Sequence, residues 1–351
     1  MGVPLERGPA EEPDRPARSM ADDLGRYYAA GVRIRPDSLV GVLVDVYGDF
    51  LRSARGGGED ASLRRPLVAT GVDSVVRGVA DLVAELLASH AGLDDPLGVG
   101  VELSGQVNAS NGVVRRSHRM GWWEPVPLGE LLQVATGHRT LVDHDTKALV
   151  LAEQMFGHGQ GRRSFAVVTA DYGVGTGLVI NHSLWRGASG TAGELGHVVV
   201  DPAGRSCVCG HRGCLETMAG TNGILHTIRQ QNRPDGVSDI DEASQLARQG
   251  DEAAQRAFEE AGTLLGLGLS WLVNLLDLEL VVVHAASALL DSGVYIPAAL
   301  GSFEQHSFQA ADERPELVIK VRDDRLEARS AGSMVFRLLP DRLAELGEPW
   351  G

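Results

Sequence analysis

The chain has 351 residues, 43% of them hydrophobic, and carries a formal net charge of −15. That length exceeds the roughly 250 residues at which a single core stops growing, so two packed lobes are expected. The acidic balance opposes phosphate backbones and anionic membrane surfaces, which argues against an unaided grip on DNA. No run of about 18 apolar residues occurs and the Pro-, Arg- and Glu-rich start lacks an apolar signal core, so a cytoplasmic protein without membrane contact is expected.

Residues 1–25 contain RGPAEEPDRPARS, a mixed-charge stretch with too few apolar groups to offset its ordering entropy, and are expected to form a disordered tail. From Tyr27, the β-branched runs GVRI and LVGVLVDV are split by Pro36-Asp37-Ser38, and Tyr47-Gly48-Asp49 turns into a third, which reads as three strands joined by turns. A helical pattern covers Val72 to His90, and PLGVGVEL then supplies a buried strand ending at Ser104-Gly105. A second helix near Leu128 to Ala135 and the run TLV lead to Asp143-His144-Asp145. This triplet opens a helix with Ala148, Leu149, Ala152 and Phe156 on its apolar face and Gly157 at its end, acids at a helix start being favoured by the dipole. SFAVVTA and the Gly-rich DYGVGTGLVI begin the same strand-rich plan again, so the chain reads as two similar halves. A long helix follows, with Ala254, Ala257, Phe258, Ala261, Leu265, Leu269, Leu272 and Leu276 on one face and glycines 262, 266 and 268 permitting close packing; ELVVVHAA is then a buried strand.

Three cysteines crowd into eight positions, an odd number that cannot make a disulfide framework and that points to a metal site in a reducing compartment. Cys207, Cys209 and Cys214 form Cys-x-Cys-x4-Cys, with Gly210 and Gly213 letting the backbone turn tightly enough to aim three thiolates inward. His197, ten residues upstream, completes a Cys3His set, the donor pattern of a closed tetrahedral structural zinc site. The alternatives are three buried structural thiols beside an unrelated histidine, or His211 as fourth ligand, although its place inside the loop is expected to turn it to solvent.

The same segment, GELGHVVVDPAGRSCVCGHRGCLE, resembles the signature of the ROK proteins (repressors, open reading frames and kinases of sugars): Glu-x-Gly-His, then Cys-x-Cys-Gly-x-x-Gly-Cys and a following Glu. Glu194, His197, Cys207, Cys209, Gly210, Gly213, Cys214 and Glu216 all match. The resemblance continues through GVVRRSHRMGW, HDTKALVLAE and GVGTGLVINHSLWRGASGTAGELGH, and more weakly through VDVYGDFL and ARSAGSM. It implies an α/β fold of duplicated actin-like, ribonuclease-H-like domains with an interdomain cleft and a zinc-binding loop. The lobes expected are 26–142 plus 327–346, and 143–326 with the zinc loop at 197–214; assembly as a homodimer or homotetramer is also implied. By the resemblance, Glu194, His197 and Glu216 hydrogen-bond sugar hydroxyls, with Ser104, Gly105, Arg119, His144 and Asp145 completing the sugar-binding set. Asp145 matches the aspartate that in the kinases accepts the proton of the attacking hydroxyl; taken alone, it reads equally as a helix cap.

Three departures from the kinase pattern fall on the nucleotide side. Where ROK kinases carry Asp-x-Gly-Gly-Thr, this chain reads Val32-Arg33-Ile34-Arg35-Pro36-Asp37, without the glycines and with a proline that has no N–H for a phosphate. Gly173, Gly175 and Gly177 remain as a vestigial phosphate loop, but Asp171 and Tyr172 precede them, and a carboxylate there opposes polyphosphate. His284-Ala285-Ala286 replaces the adenosine-side glycines. The reading that follows is a sugar-sensing regulator in its effector-binding portion, with zinc as its structural metal, a sugar or sugar phosphate as effector, and no winged helix or direct DNA binding in this chain. The alternative is an ATP- and Mg-dependent sugar kinase using Asp145 as general base. A scaffold that binds neither is a third possibility. On the sugar side, Arg119, His144 and Lys147 stand where family asparagines do. Arg119, Arg33 and Arg35 either pair with an anionic group of the ligand or face solvent.

Overall fold

The computed structural model describes residues 5–6, 27–51, 62–90, 95–230 and 236–340. Two compact units are distinguished, Glu11–Gln160 with Asp323–Gly351, and Met1–Ala10 with Gly161–Arg322. Of the tail expected to be disordered over 1–25, only Leu5–Glu6 (β1) lies among the described residues, and it is a strand rather than disordered chain. The remainder of that stretch lies outside the described residues.

In the first unit, Tyr28–Ile34 (β2) and Ser38–Asp45 (β3) are the first two expected strands, whereas the third, Ser62–Pro66 (β4), begins well beyond the Tyr47-Gly48-Asp49 turn expected to lead into it; β3 is antiparallel to both neighbours. β2 is buried along its whole length, which is why its residues are apolar on both faces apart from Arg33, whose charge is matched inside the unit. Helix Val72–Ala88 (α1) buries Val75, Val79, Leu82, Val83 and Leu86, a helical face that packs with Leu39 and Leu43 of β3. Val99–Leu103 (β5) follows, then a hairpin of Gln106–Asn108 (β6) and Val113–Arg116 (β7) that the sequence pattern had not indicated. Helix Leu128–Thr136 (α2), ended by Gly137 at φ 75°, precedes Thr140–His144 (β8). The sheet runs β4-β3-β2-β5-β8, with β2, β5 and β8 parallel.

Helix Asp145–Phe156 (α3) belongs to this unit, so the expected lobe boundary at 142/143 moves to 160/161, and the second one from 326/327 to 322/323. The reason is packing: Ala148 of α3 is buried with Ala331 and Met334 of the returning C-terminal segment. That return, helix Asp324–Ser333, lies directly on the sheet. A Cβ at Gly31 of β2 would collide with the carbonyl oxygen of Ala328, and one at Gly100 of β5 with that of Ala331.

In the second unit, Phe165–Ala170 (β9), Val174–Ile180 (β10) and Ser183–Leu184 (β11) are followed after several helices by Leu280–Ala285 (β12) and Glu316–Val321 (β13). The order is β1-β13-β12-β9-β10-β11, with β9, β12, β13 and β1 parallel and β10 antiparallel to both neighbours. Each unit therefore places its first long strand between two strands of an antiparallel arrangement on one side and parallel strands on the other, two in the first unit and three in the second. The repeated plan read from the sequence is this repeated strand order. Helices Leu215–Ala219 (α4), Thr221–Gln230 (α5), Ile240–Arg248 (α6) and Glu252–Leu276 (α7) cover one face of this sheet. In α7 all the expected core positions are buried except Leu276, which is half-buried at the helix end.

The close seat of helix 324–333 is open to test. Gly100→Val should lower stability by about 1–3 kcal/mol or more, because the added side chain meets helix backbone that cannot move alone. Gly301→Ala, at a helical glycine facing open space, should leave stability unchanged or raise it by up to about 1 kcal/mol. Urea unfolding midpoints compare the two.

Candidate functional site

Two chemically distinct sites emerge, one in each unit. In the second unit, a short 3-10 turn Leu195–His197 precedes a compact loop whose ends are drawn together by bridges between Val199 and Cys214 and between Ser206 and Arg212. Gly210 and Gly213 have φ of 97° and 68°, values a side chain would strain, and a Cβ at Gly213 would also meet the carbonyl of Asp201. The donor atoms of His197, Cys207, Cys209 and Cys214 thereby lie within 4.8 Å of one another and could hold a metal ion. A tetrahedral site with metal–sulfur bonds of about 2.3 Å and a metal–nitrogen bond of about 2.0–2.1 Å has edges of about 3.5–3.8 Å. The Cys209 and Cys214 sulfurs are 3.5 Å apart, and Cys207 Sγ is 3.5 Å from His197 Nδ1, so the donor set fits. His211 Nδ1 is 3.4 Å from Cys209 Sγ, but the residue is exposed and stands outside the converging four.

Protons compete with a cation for these sulfurs. Burial pushes the Cys207 thiol well above its ordinary value, reinforced by the nearby Glu216 carboxylate, while the hydrogen bond from the Cys209 backbone works the other way. Burial, with Cys209 close by, takes Cys214 up to about 11. At Cys209 burial also acts upward, but hydrogen bonds from the His211 backbone and side chain and from the other two thiols outweigh it and bring the group to about 6. Binding a divalent ion here therefore releases protons, and metal affinity rises with pH.

The three residues of this unit expected to touch sugar come together around one imidazole. His197 Nδ1 is 3.3 Å from Glu216 Oε1, which also accepts from Cys207 Sγ at 2.9 Å, and His197 Nε2 lies 4.0 Å from Glu194 Oε2. Nδ1 faces the sulfur cluster, leaving Nε2 toward Glu194. A further residue, which sequence patterning did not single out, locks the loop in place. Arg205 Nη1 donates to the carbonyls of Thr217 at 2.9 Å and Gly223 at 2.7 Å, and its Nη2 donates to Thr227 Oγ1 at 2.5 Å, so the loop is pinned to α4, which carries Glu216, and to α5. Burial lowers its pKa, with Glu260 opposing.

The glycines of the expected phosphate loop do not all lie in a loop. Gly175 and Gly177 sit within β10, paired with Thr169 and Val167 of β9, and only Gly173 is in the turn, against the Glu216 carboxylate. Asp171 is not a bare charge either: its Oδ2 is 3.5 Å from Arg322 Nη1, which weakens the repulsion expected there. His284 is buried within β12, between Thr169 and Lys320.

In the first unit a shallow concavity is lined by Arg33, Ile34, Arg35, Pro36, Leu103, Ser104, Arg119, Met120 and Asp145. Three of the expected sugar-binding residues, Ser104, Arg119 and Asp145, share it. Gly105 and His144 adjoin it in sequence but do not line it. Gly105 seats the β6–β7 hairpin, since a Cβ there would press on the Arg116 carbonyl, and Ser117 Oγ donates to the Ser104 carbonyl at 2.6 Å. At the start of α3, His144 is the cap residue, its Nδ1 accepting from the Thr146 N–H at 3.2 Å, while Asp145 Oδ1 accepts from the same N–H at 2.7 Å. Asp145 is thus both part of the helix start and a pocket wall. Lys147, expected at an asparagine position of the sugar site, is buried and absent from the pocket lining.

Arg33 is buried and Arg35 half-buried, which corrects the reading that they face solvent; both line the pocket and both are engaged by carboxylates of this unit. Arg33 is buried against Glu102, with Nη1 to Oε1 at 2.9 Å, against Glu327, and against Asp324, with Nε to Oδ1 at 3.1 Å. Arg35 Nη1 donates to Asp324 Oδ1 at 2.9 Å, and Arg64 reaches the other oxygen of that carboxylate. Burial disfavours the charged form of Asp324, but Arg33, Arg35 and Arg64 outweigh it and hold the carboxyl below its ordinary value.

Comparison with known proteins places this geometry in context. The model of the ROK family matches residues 48–332. A glucokinase of Thermotoga maritima is 32% identical over 232 residues, covering 63% of this chain and 72% of that protein. The DNA-binding transcriptional repressor Mlc of Escherichia coli is 34% identical over 190 residues, covering 51% of this chain and 46% of the repressor, so this chain spans less than half of that relative's length. The crystal structure of a ROK hexokinase from Thermus thermophilus shares the fold, with a TM-score of 0.73 at 24% identity over 90% of this chain and 99% of that one.

Because the Asp324 carboxyl is held down in the folded state, its stabilising contribution is present above the unfolded value of about 3.9 and is lost as pH falls through the folded one. The stability gap between the natural protein and Asp324→Asn should therefore narrow as pH drops from about 5 toward about 2. Urea titrations across that range measure it; a gap independent of pH would contradict the charge cluster.

Proposed function

The chain belongs to the ROK family, and we propose that it is the sugar-sensing part of a ROK transcriptional regulator, a cytoplasmic protein whose effector is a sugar or sugar phosphate. The observation that carries this reading is the turn between β2 and β3. A phosphate cradle needs converging backbone N–H groups, and Pro36 has none. Arg35, beside it, is engaged by Asp324 at the N-terminal end of helix 324–333, so its guanidinium already has a carboxylate partner.

The hydroxyl-binding chemistry, by contrast, persists. Asp145 and Ser104 offer a carboxylate and a hydroxyl in the pocket of the first unit. In the second unit Glu194 and Glu216 accept hydrogen bonds, and His197 presents Nε2 while its Nδ1 turns to the cysteines. Zinc is the metal that a closed Cys3His set favours, and it would fix the imidazole of His197 and so the position of Glu216. Assembly as a homodimer or homotetramer accompanies the reading. A kinase reading has two observations in its favour, the likeness to a glucokinase and Asp145 placed in a pocket; Asp145 would then be the general base, with Mg-bound ATP supplying the phosphoryl group.

Titration calorimetry with a panel of hexoses, pentoses and their phosphates should find a ligand, and coupled assays should find no sugar-dependent ATP consumption. Asp145→Asn should weaken binding of that ligand by about 1.5–3 kcal/mol. Turnover that is abolished by Asp145→Asn while binding survives would establish the kinase instead. Metal analysis should return about one zinc per chain, and Cys209→Ser should lose it together with thermal stability; a metal-free protein with an unchanged melting temperature would remove the metal from the reading.

A further inference from the structure

Cys209 is the exposed member of a donor set whose other two thiols are buried. Its sulfur lies 3.5 Å from Cys214 Sγ and 3.4 Å from His211 Nδ1. Cys207 is differently placed, turned to Glu216 Oε1 at 2.9 Å and His197 Nδ1 at 3.5 Å. We propose that Cys209 and Cys214 are a peroxide-sensitive thiol pair, which closes to a disulfide and withdraws two of the four donors of the metal cluster.

Geometry selects this pair. A disulfide bond of about 2.05 Å requires the two sulfurs to approach by about 1.5 Å. Four residues separate them, two of which are Gly210 and Gly213 in left-handed conformations, so the enclosed loop is already folded back on itself. A bond from Cys209 to Cys207 would enclose a single residue and would pull Cys207 from its contact with Glu216.

The chemistry balances with hydrogen peroxide as oxidant. The Cys209 thiolate attacks one peroxide oxygen; the S–O bond forms as the O–O bond breaks, and the departing hydroxide takes a proton from His211 or solvent to leave as water. The Cys214 thiolate then attacks the Cys209 sulfur; the S–S bond forms, the S–O bond breaks, and a second hydroxide is protonated to water. Two sulfurs lose two electrons, peroxide gains them, and two protons are consumed. Cys207 and His197 remain, too few for a closed site. The loop would thus answer to oxidants independently of any sugar.

The test uses the full chain loaded with zinc and treated with hydrogen peroxide in the presence of a chromogenic chelator. Release of about one ion per chain should accompany loss of two of the three thiols, and non-reducing peptide mapping should join Cys209 to Cys214, with reductant and zinc restoring the starting state. In Cys214→Ser, Cys209 should instead be trapped as a dimedone adduct, a readout that does not depend on metal retention. His211→Ala should slow release several-fold at unchanged metal content. A disulfide containing Cys207, or three thiols that survive peroxide sufficient to oxidise the exposed Met155, would overturn the proposal.

Discussion

The charge cluster around Arg33 governs the first unit. A guanidinium and two carboxylates, Glu102 and Glu327, are buried there, and removing such groups from water costs several kcal/mol per ion unless each finds its counterpart. The partners come from three places: Arg33 from β2, Glu102 from β5, and Asp324 and Glu327 from the helix that returns to this unit at the far end of the chain. The sheet therefore cannot be completed electrostatically without that return. The same cluster anchors the turn that walls the pocket, because Arg35 and Arg64 share Asp324 with Arg33. Gly31 and Gly100 serve one end: without side chains, they let the helix come close enough for its acids to reach the arginines.

The second unit solves a different problem. The segment between His197 and Cys214 buries little apolar surface of its own, so its shape rests on backbone turns, on Arg205 and on the convergence of three sulfurs and an imidazole. A cation held here would compete with protons for the same sulfurs, and Glu216 would take part in that competition through Cys207 and His197. Placing a carboxylate with hydroxyl-binding potential in direct contact with the donor set means that whatever occupies the cluster also sets the orientation of Glu216. That coupling is the physical basis for reading the metal as a support for ligand recognition.

Chain elements with strong local signals were legible from residue order. β2, β3, β5, β9 and β12 are mainly apolar because both faces are covered, with Arg33, Glu102 and His284 as exceptions, and α1 and α7 show the spacing of a buried helical stripe. Cys207, Cys209, Cys214 and His197 group by sequence alone, since ligand spacing between glycines is a local property. The β6–β7 hairpin leaves little trace in residue order, its two strands being short and its arginines masking the alternation that Val107 and Val114 carry. The boundary between units was misplaced because Asp143-His144-Asp145 marks a helix start equally well at the end of one unit or the opening of the next.

The family, the doubled strand plan and the grouping of His197 with the three cysteines were thus determined by the sequence alone, each resting on residues within a few positions of one another or on an ordered series of such motifs. What Arg33 and Arg35 do was decided only by the tertiary structure. Arg35 meets a carboxylate 289 positions away, and nothing in the neighbourhood of either residue encodes that meeting. Whether a charged side chain faces a ligand or a buried partner depends on which distant element packs beside it, and only the folded chain specifies that.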